Sequence, residues 1–118
     1  KKKPILIHGK GTQTRTFCYI SDAITGFLKV IFNGKIGEIY NIGNPKNEIN
    51  ILKLKKIFDK IINKKNKFKK IDYPKNYPGD EPMRRCPDIS KSIKDAGYKP
   101  LVSVSEGIRR VLEFNKII

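Results

Sequence analysis

The chain has 118 residues, 38% of them hydrophobic, and a formal net charge of +15; this suits one modest domain, and no run approaches the twenty or so apolar residues that would cross a bilayer. Two cysteines far apart, Cys18 and Cys86, and one histidine exclude a disulfide framework and a clustered metal site, so free thiols in a reducing compartment are expected. The charge raises nucleic acid as a partner, but Lys outnumbers Arg 21 to 5 and Ile outnumbers Leu 19 to 6, a skew that an A+T-rich genome produces on its own.

No apolar signal run follows Lys1-Lys2-Lys3-Pro4, which places the protein in the cytoplasm. Ile5-Leu6-Ile7 reads as a strand begun in mid-fold, as in a piece of something longer, and Thr16 to Ile20 as a second strand after the glycine-marked loop His8 to Gln13. Ser21 or Asp22 can cap a buried amphipathic helix carrying Ala23, Ile24, Phe27, Leu28, Val30 and Ile31, which Asn33-Gly34 stops. Glu38 to Ile42 alternates as a half-buried strand and ends at the turn Gly43-Asn44-Pro45.

Asn50 is placed to cap a helix whose core face is Ile51, Leu54, Ile57, Phe58, Ile61 and Ile62. In the lysine-rich stretch that follows, Phe68, Ile71 and Tyr73 would suit a base-stacking platform or a strand with one solvated side, and the strand is the better reading. Tyr73 to Pro87, with four prolines, is expected to be a long loop, and loops of this length are usually functional or disordered. Asp88 can cap a short helix over Ile89 to Ala96 that Gly97 ends, and Ser103 to Glu106 form a capping box for the last helix.

The chemistry is sparse. Gly9-Lys10-Gly11 lacks the third glycine of a dinucleotide fingerprint, with Thr14 in its place. No hydrolytic triad or catalytic base suggests itself, and no tyrosine is followed by lysine four places on. Two arginine segments remain, Gln13-Thr14-Arg15-Thr16-Phe17 and Asp80-Glu81-Pro82-Met83-Arg84-Arg85-Cys86-Pro87-Asp88. Guanidinium forks from distant segments can clamp a diphosphate while Asp88 accepts from sugar hydroxyls; equally, Arg15 and Arg85 can pair with surface carboxylates.

These segments, with Tyr19-Ile20-Ser21-Asp22-Ala23, Tyr40-Asn41-Ile42-Gly43-Asn44-Pro45, Gly97-Tyr98-Lys99-Pro100 and Ser105-Glu106-Gly107-Ile108-Arg109-Arg110, resemble the NAD-dependent epimerase/dehydratase family of the extended short-chain dehydrogenase/reductase superfamily, most closely its UDP-glucuronate decarboxylase-like members. The resemblance implies an α/β fold: the C-terminal portion of a Rossmann-type enzyme, a small substrate lobe of helices and short strands spanning 1–118 with the Rossmann core largely absent. It implies that Arg15 and Arg85 hold a nucleotide-sugar diphosphate, that Asp88 contacts the ribose, and that Phe17 lines the nucleotide pocket; His8 stands where the family has Tyr or Phe. NAD would serve the full-length enzyme, with none bound by this segment and no turnover of its own. The implied partners are a UDP- or dTDP-sugar, an N-terminal Rossmann domain and a second copy when full length. A small basic module for nucleic acid or other polyanions is the rival reading, and an inert remnant of an enzyme a third.

Overall fold

A helix can begin wherever a side chain satisfies the orphan N–H groups of its first turn, whereas a strand needs a neighbour. In the computed structural model, which describes residues 3–77 and 82–118, the chain order is β1 (Ile5–His8), β2 (Thr14–Thr16), α1 (Ile20–Asn33), a 3-10 turn (Pro45–Asn47), β3 (Glu48–Asn50), α2 (Ile51–Ile61), β4 (Phe68–Ile71), β5 (Arg84–Arg85), α3 (Ser90–Ala96) and α4 (Val104–Phe114). This is a small α/β arrangement. β1 pairs with β4 in parallel; β2 lies between β3, antiparallel to it, and β5, parallel to it.

Helices with local caps fall where the sequence puts them. The Asn50 side chain accepts from the Lys53 backbone N–H at 2.7 Å and starts α2. Ser103 accepts from the Glu106 N–H at 3.2 Å and starts α4, and Gly97, left-handed at φ +65°, ends α3. Asp88 caps from one residue further out than a standard N-cap: its Oδ1 accepts from the Ser90 N–H at 2.8 Å, so α3 starts at Ser90 rather than Ile89.

Other expectations are corrected. β2 covers Thr14–Thr16, not Thr16–Ile20, because Ile20 already belongs to α1. Neither Ser21 nor Asp22 caps α1; the N-cap is Tyr19, and Asp22 is a buried first-turn residue whose Oδ2 accepts from the Leu101 and Val102 N–H groups at 3.0 and 2.8 Å. Glu38–Ile42 is not a strand. No described strand lies beside it, and it is fixed instead by side chains: Asn41 donates to the Asp88 carbonyl, and Ser92 donates to the Asn41 carbonyl. The stretch expected to be one long loop contains β5, a strand only because β2 supplies its partner.

The core is thin. Ile7, Ile49, Ile89, Ala96, Tyr98, Val102 and Leu112 are buried, Tyr98 to 1% exposure with its hydroxyl 3.5 Å from Cys18 Sγ. The apolar face of α2 is only half-buried. α1 is amphipathic but not buried: Ile20, Ile24, Phe27, Leu28, Ile31 and Phe32 are exposed, Phe32 to 79%. The accessible surface is 9058 Å², where a self-contained monomer of this mass exposes about 6,600 Å². The radius of gyration is 17.0 Å against about 13.5 Å for a compact domain of this length. No helix among the described residues is long and apolar enough to cross a membrane.

Candidate functional site

The register of β2 and β5 makes Arg15 and Arg85 Cα partners. In a parallel pair such partners point to the same side, so the two arginines, distant in sequence, share one face of the three-stranded sheet with the buried Ile49, the β3 partner of Arg15. Arg15 Nη1 donates to the carbonyls of Thr14 and Pro82 at 2.7 and 3.0 Å. Arg15 and Arg85 each have further interactions within the chain, and an anion arriving at Arg15 would exchange with the carbonyls already on its guanidinium.

Alternation puts Thr14, Thr16, Glu48, Asn50 and Arg84 on the opposite face. There Glu48 takes the Arg84 fork in parallel, Nε to Oε1 and Nη2 to Oε2, both 2.8 Å, and its Oε1 also accepts from the Thr14 hydroxyl at 2.7 Å. The Arg84 hydrogen bonds, then the Thr14 hydroxyl, hold the Glu48 carboxyl below the usual carboxylate range, and Glu48 in turn raises Arg84. Arg84, the neighbour of Arg85 in the second arginine segment, thus makes a two-point carboxylate pair on this face.

His8 closes β1 at the start of an aromatic stack. Its ring lies 5.8 Å from that of Tyr73, which lies 4.6 Å from Tyr77. Gln13 ties this stack to the start of β2, its amide donating to the His8 carbonyl at 3.3 Å and the Tyr73 hydroxyl at 3.2 Å. Only glycine fits at Gly9: its φ is +64°, and a Cβ would lie 2.7 Å from Tyr73 Cε2.

Phe17 has a different setting. Asn47 grips its backbone, donating to the Phe17 carbonyl at 3.0 Å, and its ring lines an apolar cleft of about 540 Å³ with Ile7, Leu54, Phe58, Val104 and Leu112. Asp88 stands three residues beyond Arg85, its Oδ1 shared by the Ser90 N–H and hydroxyl at 2.8 and 2.6 Å. The Ser90 hydroxyl, then the N–H, keep its carboxyl below the usual range. Asp80 and Glu81, named with this segment in the sequence, lie outside the described residues. Sequence reasoning missed Glu48, Thr14 and the Tyr73–Tyr77 stack. The alternating Thr-Arg-Thr of β2 was the one available signal, since it divides arginine from threonines by face.

The glycine loop does not fit a dinucleotide. Gly9 and Gly11 are both left-handed, but the loop leads into β2, not into a helix N-terminus that could receive a pyrophosphate. Among the described residues no group of three or more His, Cys, Asp or Glu could hold a metal ion.

The NAD-dependent epimerase/dehydratase family model matches residues 1–43. The dTDP-D-glucose 4,6-dehydratase of Bos taurus is 38% identical over 110 residues, 92% of this chain and 31% of that protein. UDP-glucuronic acid decarboxylase 1 of Arabidopsis thaliana is 33% identical over 112 residues, 95% of this chain and 24% of that protein. The crystal structure of UDP-glucuronic acid 4-epimerase from Bacillus cereus in complex with UDP-glucuronic acid and NAD superposes with a TM-score of 0.86 at 37% identity, covering 98% of this chain and 36% of that one. The chain therefore spans about a third or less of the length of these relatives.

Proposed function

Because the chain belongs to the NAD-dependent epimerase/dehydratase family, we propose that it is the C-terminal, nucleotide-sugar-binding portion of such an enzyme, gripping the substrate's diphosphate while the rest of the longer protein supplies NAD and the catalytic groups. The observation that carries this reading is the register partnership of Arg15 and Arg85. Two planar forks on one face can each offer paired donors to a phosphate, and a diphosphate has a phosphate for each fork. Asp88 is assigned to the ribose, with Oδ1 already oriented by Ser90, and Phe17 and His8 to the nucleotide's surroundings. The likeness to an epimerase structure holding UDP-glucuronic acid and NAD supports a UDP-sugar as substrate.

The uncovered surface supports a larger whole. An apolar α1 face and the extended, unpaired Glu38–Ile42 segment are what a helix and an edge strand look like without the sheet they serve, so a Rossmann domain is assigned as their partner, in a cytoplasmic homodimer. With no dinucleotide fingerprint and no Tyr-x-x-x-Lys sequence in this chain, no step of the chemistry is routed through its residues; their part is grip and orientation.

The polyanion reading is not favoured. The aromatics interleaved with lysines are engaged within the chain, Phe68 beneath the Lys55 ammonium at 5.3 Å and Tyr73 stacked on His8, not splayed as a platform. The test is an NMR titration of the chain with UDP at near-physiological salt. Saturable shifts moving together at Arg15, Phe17, Arg85 and Asp88, lost in Arg85→Ala, are expected. A folded spectrum in which UDP moves none of them would refute the grip, and binding that collapses with salt while tolerating Arg85→Ala would favour the polyanion.

A further inference from the structure

In a nucleoside diphosphate the ribose is bonded directly to a phosphate, so a carboxylate serving its hydroxyls must keep a fixed offset from the groups that hold the phosphates. Such a constellation works only when offsets are kept to within about 0.5 Å. Asp88 follows Arg85 by three residues, a stretch whose end Cα atoms can stand up to about 11 Å apart. Its own ties do not settle the offset. The Ser90 N–H and hydroxyl hold Oδ1 to the start of α3, which fixes the carboxylate relative to that helix and not relative to β5. α3 is held in turn along the extended segment Glu38–Ile42. Lys91 pairs with Glu38, the Tyr40 hydroxyl donates to Asp95 Oδ2 at 3.1 Å, and fully buried Ser92 donates its hydroxyl to the Asn41 carbonyl at 2.5 Å. Asn41 then reaches past the helix: its Nδ2 donates to the Asp88 carbonyl at 3.0 Å. Two residues on, Gly43 packs so closely on Pro87 that a Cβ there would lie 2.7 Å from Pro87 Cγ. Arg85 is fixed separately, by the Thr16 hydroxyl on its own carbonyl and the Thr14 N–H on that of Met83.

We propose that Asn41 is a positioning residue: by anchoring the Asp88 carbonyl, its amide sets the Asp88 carboxylate at the offset from Arg85 that a ribose beside a diphosphate requires. The ribose role rests on the nucleotide-sugar reading above, whereas the anchor rests on the contacts of this chain alone. Asn41 touches no substrate. It acts through Asp88, so its loss is felt in recognition of the ribose hydroxyls and not in the hold on phosphate.

Two measurements separate the anchor from the ribose role. The first needs no ligand: the order parameter of the Asp88 amide from backbone NMR relaxation. It should be that of rigid backbone, about 0.85, in the chain and fall toward about 0.6 in Asn41→Ala, with the Ile93 and Ala96 amides unchanged. The second is the affinity for UDP relative to 2′,3′-dideoxy-UDP by calorimetry, a ratio that reads the ribose hydroxyls. The chain should prefer UDP about tenfold, as a hydrogen bond to a charged group gives. Asp88→Ala and Asn41→Ala should each reduce the preference to about twofold, the double variant should go no lower, and affinity for the dideoxy compound should stay within about twofold throughout. An Asn41→Ala chain that binds both compounds more weakly but keeps their ratio, or whose Asp88 amide stays rigid, would overturn the proposal, since Asn41 would then be a structural residue only. Should Asn41→Ala fail to fold, Asn41→Asp decides, because it keeps the size but faces the Asp88 carbonyl with an acceptor: a lost preference supports the anchor and a retained one sinks it. If the chain binds no UDP, or Asp88→Ala leaves the ratio untouched, the ribose role falls with the reading it rests on, while the Asp88 amide still judges the anchor.

Discussion

α1 presents two surfaces that behave oppositely. Its first turn is sewn into the chain by polar groups: Asp22 holds the Leu101 and Val102 N–H groups. Beside it, buried Asn47 donates to the Phe17 and Val102 carbonyls at 3.0 and 2.8 Å and accepts from the Val104 N–H at 3.2 Å. The outward face, from Ile24 through Phe32, is apolar and has nothing over it. The seam shows that this chain specifies its own internal geometry with directional bonds that leave no buried side-chain polar atom among the described residues unsatisfied. The face is apolar surface that the described chain leaves exposed, so it adds little to the hydrophobic share of stability.

The contrast is broken most severely at the seam. Asn47→Ala removes three hydrogen bonds and strands buried backbone groups, so a loss of about 2–4 kcal/mol is expected, read as a lower urea midpoint with unchanged slope. Gly26→Ala probes the inner side of α1, where a Cβ would lie 2.7 Å from Tyr98 Cε2 and 2.9 Å from Ile42 Cγ2. Crowding a ring that is almost fully buried should cost about 1–3 kcal/mol. A neutral result would mean that α1 does not bear on Tyr98 as described.

The same division explains what the sequence disclosed. Asn50, Ser103 and Gly97 act within a turn of their own helices, so α2, α4 and the end of α3 could be read from neighbouring residues. Strands are a property of pairs. β3 and β5 had no signature of their own, and Glu38–Ile42 had the alternation without the neighbour. Asp22 looked like a cap because its partners, eighty residues away, are invisible locally. The site divides likewise: Arg15 and Arg85 could be singled out by residue type, segment and family likeness, but their shared face follows from a β2–β5 register, and the Glu48–Arg84 pair behind it from the same register, which no local pattern encodes.

A milder change sharpens the comparison from the other side. Phe27→Lys and Phe32→Lys replace residues that are 66% and 79% exposed, so each should leave the stability of the chain within about 0.5 kcal/mol. Self-association and binding of an apolar fluorescent dye should fall in both. A drop above about 1.5 kcal/mol would show that the chain covers this face itself.

The smallest effect expected at neutral pH is electrostatic, and its sign is fixed by the carboxylates. Hydrogen bonds from Arg84, then Thr14, lower Glu48; those from Lys55, then Asn66, lower Asp59; those from the Ser90 hydroxyl, then its N–H, lower Asp88. A group whose folded pKa lies below its unfolded value stabilises fully above the unfolded value, and that contribution is lost as pH falls through the folded one. The urea midpoint should therefore be level from pH 7 to about 5 and decline below about 4. Glu48→Gln with Asp59→Asn should lower the neutral plateau slightly and flatten the acid decline, since two of the titrating groups are gone. The α1 face provides the control, because Phe27 and Phe32 carry no proton to lose: dye binding there should stay constant down to the pH at which the midpoint itself begins to fall. A midpoint that rose on acidification would mean that these carboxylates repel more than they pair, against the hydrogen bonds that each of them receives.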